Sequence, residues 1–175
     1  METLGFVLYF LFNFFIYGFI GWIIENLYCY FKRGHFQKQG FLNSPFKPMY
    51  AFAMSSIIAL YNMNTNTYFL LLISILVPTI IEYITGIIMR NYFKKDYWDY
   101  SKVRYNFQGI ICMRFSIYWS VLTFIGVKYF QVYLINILYS LIGPYWIILA
   151  PMLIIILMVD NVVTINDFKK NNNIA

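Results

Sequence analysis

The sequence predicts an all-α fold, a polytopic transmembrane helical bundle of five spanning helices plus one short interfacial helix, and three observations lead there. Of the 175 residues, 61% are hydrophobic and only 11% charged, where a soluble domain carries charge at about a quarter of its positions. Apolar runs recur at the length of about 20 residues that a helix needs to cross a bilayer. The thirteen Lys and Arg that produce the net charge of +6 sit in short segments between those runs. That is the distribution of cytoplasmic loops and not of a nucleic-acid-binding face, so no nucleic acid partner is expected.

The first helix is predicted over residues 4–28. It has neither a basic segment before it nor a small-residue cleavage pattern, so it is expected to remain in the protein. A basic linker follows with Lys32, Arg33, His35, Lys38 and Lys47. Its Asn43-Ser44-Pro45-Phe46-Lys47-Pro48 run supplies a cap and a first-turn proline for a short second helix over 49–61. The third span is expected over 67–89, interrupted by Pro78, and leads into a second basic loop, 90–109, holding Lys94, Lys95, Lys102 and Arg104. A fourth span covers 110–127. Residues 129–142 place Tyr129, Tyr133, Asn136 and Ser140 on one stripe, which predicts an interfacial helix ending before Gly143-Pro144. The last span is expected over 145–163. Residues 1–165 thus read as a single transmembrane domain and 166–175 as a disordered cytoplasmic tail carrying Lys169 and Lys170.

Placing both basic loops in the cytoplasm requires two crossings between them, so the short second helix must cross. The expected topology in the cell (plasma) membrane has the N-terminus outside and the C-terminus cytoplasmic. A six-span alternative, with 129–142 also crossing, would put the C-terminal lysines outside.

Glu25, Glu82 and Asp160 lie inside apolar runs, where an acid costs about 2.5 to 3.5 kcal/mol at mid-membrane, so each marks a candidate site with a partner to be found. At ~1.5 Å per residue all three fall in the cytoplasmic half, with Arg114 at a similar depth. Helical spacing puts Gly18, Gly21 and Glu25 on one stripe and Ser74, Pro78, Glu82 and Gly86 on another. Arg114 either snorkels to headgroups or pairs with Glu25 or Glu82, and Asp160, nearest an exit, either bonds a neighbouring helix or reaches the interface. No Ser-His-Asp set, zinc-spaced cluster or phosphate loop is present. No cofactor or metal is therefore expected, His35 reads as solvated, and Cys29 and Cys112 read as small hydrophobes. ATP hydrolysis would need a separate ATPase subunit.

Four ordered motifs carry a resemblance: Gly21-Trp22-Ile23-Ile24-Glu25; Gly40-Phe41-Leu42-Asn43-Ser44-Pro45 with Pro48-Met49-Tyr50; Glu82-Tyr83-Ile84-Thr85-Gly86; and Trp98-Asp99-Tyr100-Ser101 with Tyr105-Asn106-Phe107-Gln108-Gly109. In order and spacing, over roughly residues 9–165, the chain resembles the small bacterial ABC-transporter permease-like membrane proteins of the CmpB, or type IV, group. It differs from that pattern at Ser44 and Ala51, where glycines are usual, at Arg90, where an acid is usual, and at Ile110, where an arginine is usual; Arg114, one turn on, stands in for the last. The resemblance implies a permease-like protein without naming a solute. Trp98 and Tyr100 read either as interfacial anchors or as part of the site.

The leading expectation is a permease-like subunit in which Glu25, Glu82 and Arg114 form a cytoplasmic-side polar site for a small solute or ion, with Trp22, Asn43, Asp99, Ser101, Asn106, Gln108 and Asp160 around it. Membrane lipid, a second copy of the chain and an ATPase subunit are the expected partners. Two other classes fit: an intramembrane enzyme acting on lipid or isoprenoid phosphate, with Arg104 for phosphate, and a non-transporting accessory protein.

Overall fold

In the computed structural model, residues 3–36 and 41–172 are described, with side chains through 170. The chain is 80% helical. Its elements are α1 (Thr3–Arg33), α2 (Pro48–Met63), α3 (Thr67–Tyr92), a two-stranded hairpin of β1 (Asn106–Phe107) and β2 (Ile111–Cys112), α4 (Met113–Ile125), a π-helical stretch (Gly126–Ile135) and α5 (Asn136–Asn172). Contacts group them into two compact units, Met1–Ala51 with Gly143–Ala175, and Phe52–Ile142.

Among the described residues, three helical runs are long and apolar enough to cross a membrane: Thr3–Arg33, Thr67–Tyr92 and Met113–Lys170. The sequence predicts five spans, and two places account for the difference. One is α2, whose 16 residues make about 24 Å of helix, less than the ~30 Å hydrocarbon core. The other is the stretch from Met113, where a fourth span, an interfacial helix and a fifth span were expected. Helix there continues through 129–142 and past Gly143 and Pro144. The break expected at Gly143-Pro144 is absent because a proline removes only one helical donor, which a long apolar helix tolerates. The 58-residue run has a contour of about 87 Å, longer than one crossing needs. The boundary between the units falls within it. Helix α5 also extends to Asn172, into the stretch expected as tail, and 173–175 lie outside the described residues.

In the first unit, the linker does not stay beyond the end of α1. The Lys47 amide donates to the Gly18 carbonyl at 3.0 Å, so the chain that leaves α1 at Arg33 returns along it by about 15 residues, or ~22 Å. Gly18 permits this approach, since a Cβ there would collide with the Phe46 ring. Phe46 also packs with Phe14 and Phe15, at ring separations of 5.4 and 5.8 Å, in a core shared with Leu42, Ala51 and Leu157. The close approach that the Gly18-Gly21 stripe predicts between helices is made at Gly18 by the non-helical segment and at Gly21 by Tyr50 of α2. Near the start of α1, Trp146 of α5 donates to the Leu8 carbonyl at 2.8 Å and meets Phe12 edge-on.

Backbone at such depth must have its polar groups satisfied internally. Pro45 and Pro48 have no amide hydrogen to satisfy. Ser44 N–H donates to Asp160 Oδ2 at 2.9 Å, Phe46 N–H to the Ser44 carbonyl at 2.8 Å and Lys47 N–H to Gly18. The Lys47 carbonyl receives the Tyr50 and Ala51 amides and so starts α2. Segment 41–47 therefore folds back along α1, and α2 begins part-way along it.

In the second unit, α3 runs unbroken through Pro78, with Leu70, Ile73, Ser74, Pro78, Glu82 and Gly86 buried on one face. Asn66 caps it, its side chain accepting from Tyr68 N–H at 2.8 Å. The π-helical stretch buries Val127, Gln131 and Ile135. Lys128 Nζ donates to Tyr61 Oη at 2.9 Å and to Thr67 Oγ1 at 3.1 Å, tying this stretch to the α2–α3 turn.

Candidate functional site

The predicted site residues divide between the two units. In the first, Glu25 forms an ion pair with Lys47, whose side chain is only 11% exposed against 33% for the glutamate. Lys47 was expected among the loop cations; the fold of the 41–47 segment carries it back along α1 to the acid. Asp160 receives the Ser44 hydroxyl at 2.5 Å as well as its amide. Asn43 donates to Thr164 Oγ1 at 3.1 Å, one turn further along α5. Glu25 and Asp160 thus hold two ends of one short segment, and in both cases the partner is the linker.

Trp22 and Asn43 line an open cleft of about 520 Å³ with Ile23, Asn26, Leu27, Phe36 and Pro45. The Asn26 amide is committed to the Trp22 carbonyl at 2.9 Å. Gly40 and Lys38, part of the second motif and of the basic linker, lie outside the described residues. His35 is exposed, and Cys29 and Cys112 are buried thiols outside any disulfide.

In the second unit, Glu82 is 3% exposed. Tyr100 Oη donates to its Oε1 at 3.1 Å, and the Trp119 indole acts on the same carboxyl. Its Oε2 makes no hydrogen bond of normal geometry. No cation pairs with it among the described residues, where the ion pairs are Lys47–Glu25 and Arg90–Asp96. Arg114 is exposed, its Nε donating to Tyr118 Oη at 3.1 Å with the guanidinium over that ring. Among the described residues, Arg114 thus forms no ion pair with Glu82 or Glu25. One helical turn between Arg114 and Tyr118 gives the guanidinium an aromatic partner on its own helix.

The loop between α3 and α4 is a folded plug rather than a cavity wall. Trp98 Nε1 donates to the Ile110 carbonyl at 2.7 Å, and Tyr100 N–H to the Gly109 carbonyl at 2.8 Å. Asp99 accepts from Ser101 through its amide at 2.8 Å and its hydroxyl at 2.9 Å, which holds its carboxyl below the usual range. Asn106 donates to the Val103 carbonyl and accepts from Gly109 N–H at 3.0 Å. Gly109 has φ +70°, a backbone conformation that suits glycine. Arg90 ties the plug to α3, bonding Asp96 at 2.8 Å and the Gln108 carbonyl at 2.9 Å, and Tyr83 Oη donates to Gln108 Oε1 at 3.2 Å. Trp98, Ile110 and Gly86 meet beneath it with negligible free volume. Its polar groups hold one another and position Tyr100, stacked on Phe115 at 4.9 Å, over Glu82.

Sequence reasoning did not find Lys47, Ser44 and Thr164 as partners of the acids. The signal present was the proline pair around Lys47, which marks backbone with few donors to satisfy. Trp119 carried no signal in the sequence.

A model of the family described as "Putative ABC-transporter type IV" (ABC_trans_CmpB) matches residues 12–165. No curated protein and no solved structure matches the chain.

Proposed function

From the premise that the chain belongs to this ABC-transporter type IV family, we propose that it is the membrane-embedded, permease-type subunit of a transporter and that Glu82, with Tyr100, is the polar group its small solute or ion meets. The family and the apolar helices suggest a membrane protein of transporter type. A single observation carries the finer reading: Glu82 is a buried acid in a membrane-length helix whose polar neighbours are a tyrosine hydroxyl and an indole, with no cation paired to it among the described residues. Such a group is expensive to keep unless it exchanges a proton or a cation during function. Glu25 and Asp160 have structural partners and are supporting residues in this reading, and Arg114 serves the membrane surface. The chain has no nucleotide-binding loop, so energy comes from a separate ATPase subunit in the cell membrane.

The test is Glu82→Gln, which preserves shape and the Tyr100 acceptor. Solute and ion flux across cells or vesicles should be abolished while the protein inserts and melts as the parent does. Unchanged flux profiles would overturn the assignment. A non-transporting accessory role is favoured by one observation, the engagement of both Glu25 and Asp160 by the 41–47 segment. It predicts that every acid substitution changes stability or co-purifying subunits and that none changes flux.

A further inference from the structure

We infer that the cleft alongside the last turns of α1 holds a hydrocarbon chain of an anionic phospholipid from the surrounding bilayer. Trp22, Ile23, Leu27 and Pro45 give the cleft carbon-rich walls. Each of its two amides commits a donor elsewhere, Asn26 to the Trp22 carbonyl and Asn43 to Thr164. A polar solute would find little to bond there, whereas an alkyl chain loses nothing by entering. At about 520 Å³ the space falls within the range of small-molecule ligand sites. Phe36 closes one side, stacked on Tyr30 at 4.6 Å.

Charge selects the headgroup. Trp22, Asn26 and Arg33 follow one helical stripe, so the wall of the cleft leads to an exposed guanidinium, with Lys32 exposed beside it in the last turn of α1. Basic residues immediately beyond an apolar helix attract anionic lipid at the membrane surface. A headgroup phosphate at Arg33 with its chain running back toward Trp22 satisfies both chemistries. The carboxylate nearest on the same helix, Glu25, is neutralised by Lys47. This inference is independent of the reading of Glu82, which lies in the other unit.

The full chain, extracted in mild detergent from vesicles of equal phosphatidylglycerol and phosphatidylcholine, is analysed by native mass spectrometry for retained lipid. The parent should retain phosphatidylglycerol severalfold over phosphatidylcholine. Ile23→Trp, which fills the cleft, should lose the retained lipid. The surface pair Lys32→Gln/Arg33→Gln, which leaves the core untouched, should bring the retained lipids toward the vesicle ratio. Retention at the vesicle ratio by the parent, or equal phosphatidylglycerol retention by the parent and the double variant, would overturn the inference, as would displacement of the phospholipid by a polyprenyl phosphate at equal concentration. Glu82→Gln should retain lipid as the parent does, which separates a failure here from a failure of the transport reading.

Discussion

The two units treat buried acids in opposite ways. In the first, Glu25 and Asp160 each meet a donor supplied by the 41–47 segment, and together they make a non-helical stretch tolerable alongside the middle of a membrane-length helix. In the second, Glu82 is more deeply buried than either, and the polar groups acting on it are the Tyr100 hydroxyl and the Trp119 indole. An intramembrane carboxylate is thus not by itself a functional signal. What separates architecture from chemistry is whether the fold has answered the charge.

The comparison breaks most easily at Lys47. Lys47→Met leaves Glu25 unanswered and should cost about 3 kcal/mol, read as a lower melting temperature in detergent, whereas Glu25→Gln/Lys47→Met should recover most of that loss. Glu82→Gln in the same assay should be nearly neutral in melting, and equal destabilisation by Glu82→Gln would erase the contrast. Gly18→Leu drives a side chain into Phe46 and should cost about 1 to 3 kcal/mol while exposing the linker after Arg33 to protease. Accelerated cleavage there is the discriminating observation.

Asp160→Asn keeps an acceptor for Ser44 but loses charge assistance, and should cost about 1 kcal/mol; the same loss is expected of Tyr100→Phe in the second unit. The smallest effect concerns the plug. The Ser101 amide, and after it the Ser101 hydroxyl, hold Asp99's carboxyl below its ordinary value. This contribution is complete above the unfolded-state value and disappears as the pH falls through the lower folded one. Protection of the Ser101 amide from hydrogen exchange should therefore hold at neutral pH and decline only in acid; a pH-independent amide would mean that Asp99 does not hold the turn.

Much of the helical architecture was legible because periodicity and length are local properties. The ranges of α1 and α3 and the burial of the Ser74–Pro78–Glu82–Gly86 stripe follow from neighbours within a few residues, whereas the expected Asn43 or Ser44 cap does not form, because those side chains bond Thr164 and Asp160 instead. The ordered motifs likewise pointed to the family. The span count was less legible. Helix propensity does not reveal that α2 starts part-way along α1, and a Gly-Pro pair in an apolar run is compatible with either a break or a continuous helix.

The candidate site divides in the same way. Composition and the burial cost of charge were enough to single out Glu25, Glu82, Asp160 and Arg114, because any acid or cation in an apolar run demands explanation wherever the chain folds. Which of them finds a partner was decided only by tertiary structure: the Gly18 carbonyl captures the Lys47 amide and brings one cation to Glu25, while α4 turns Arg114 toward its own Tyr118. Pairing depends on a few ångströms of reach between segments far apart in the chain, and no local rule carries that information.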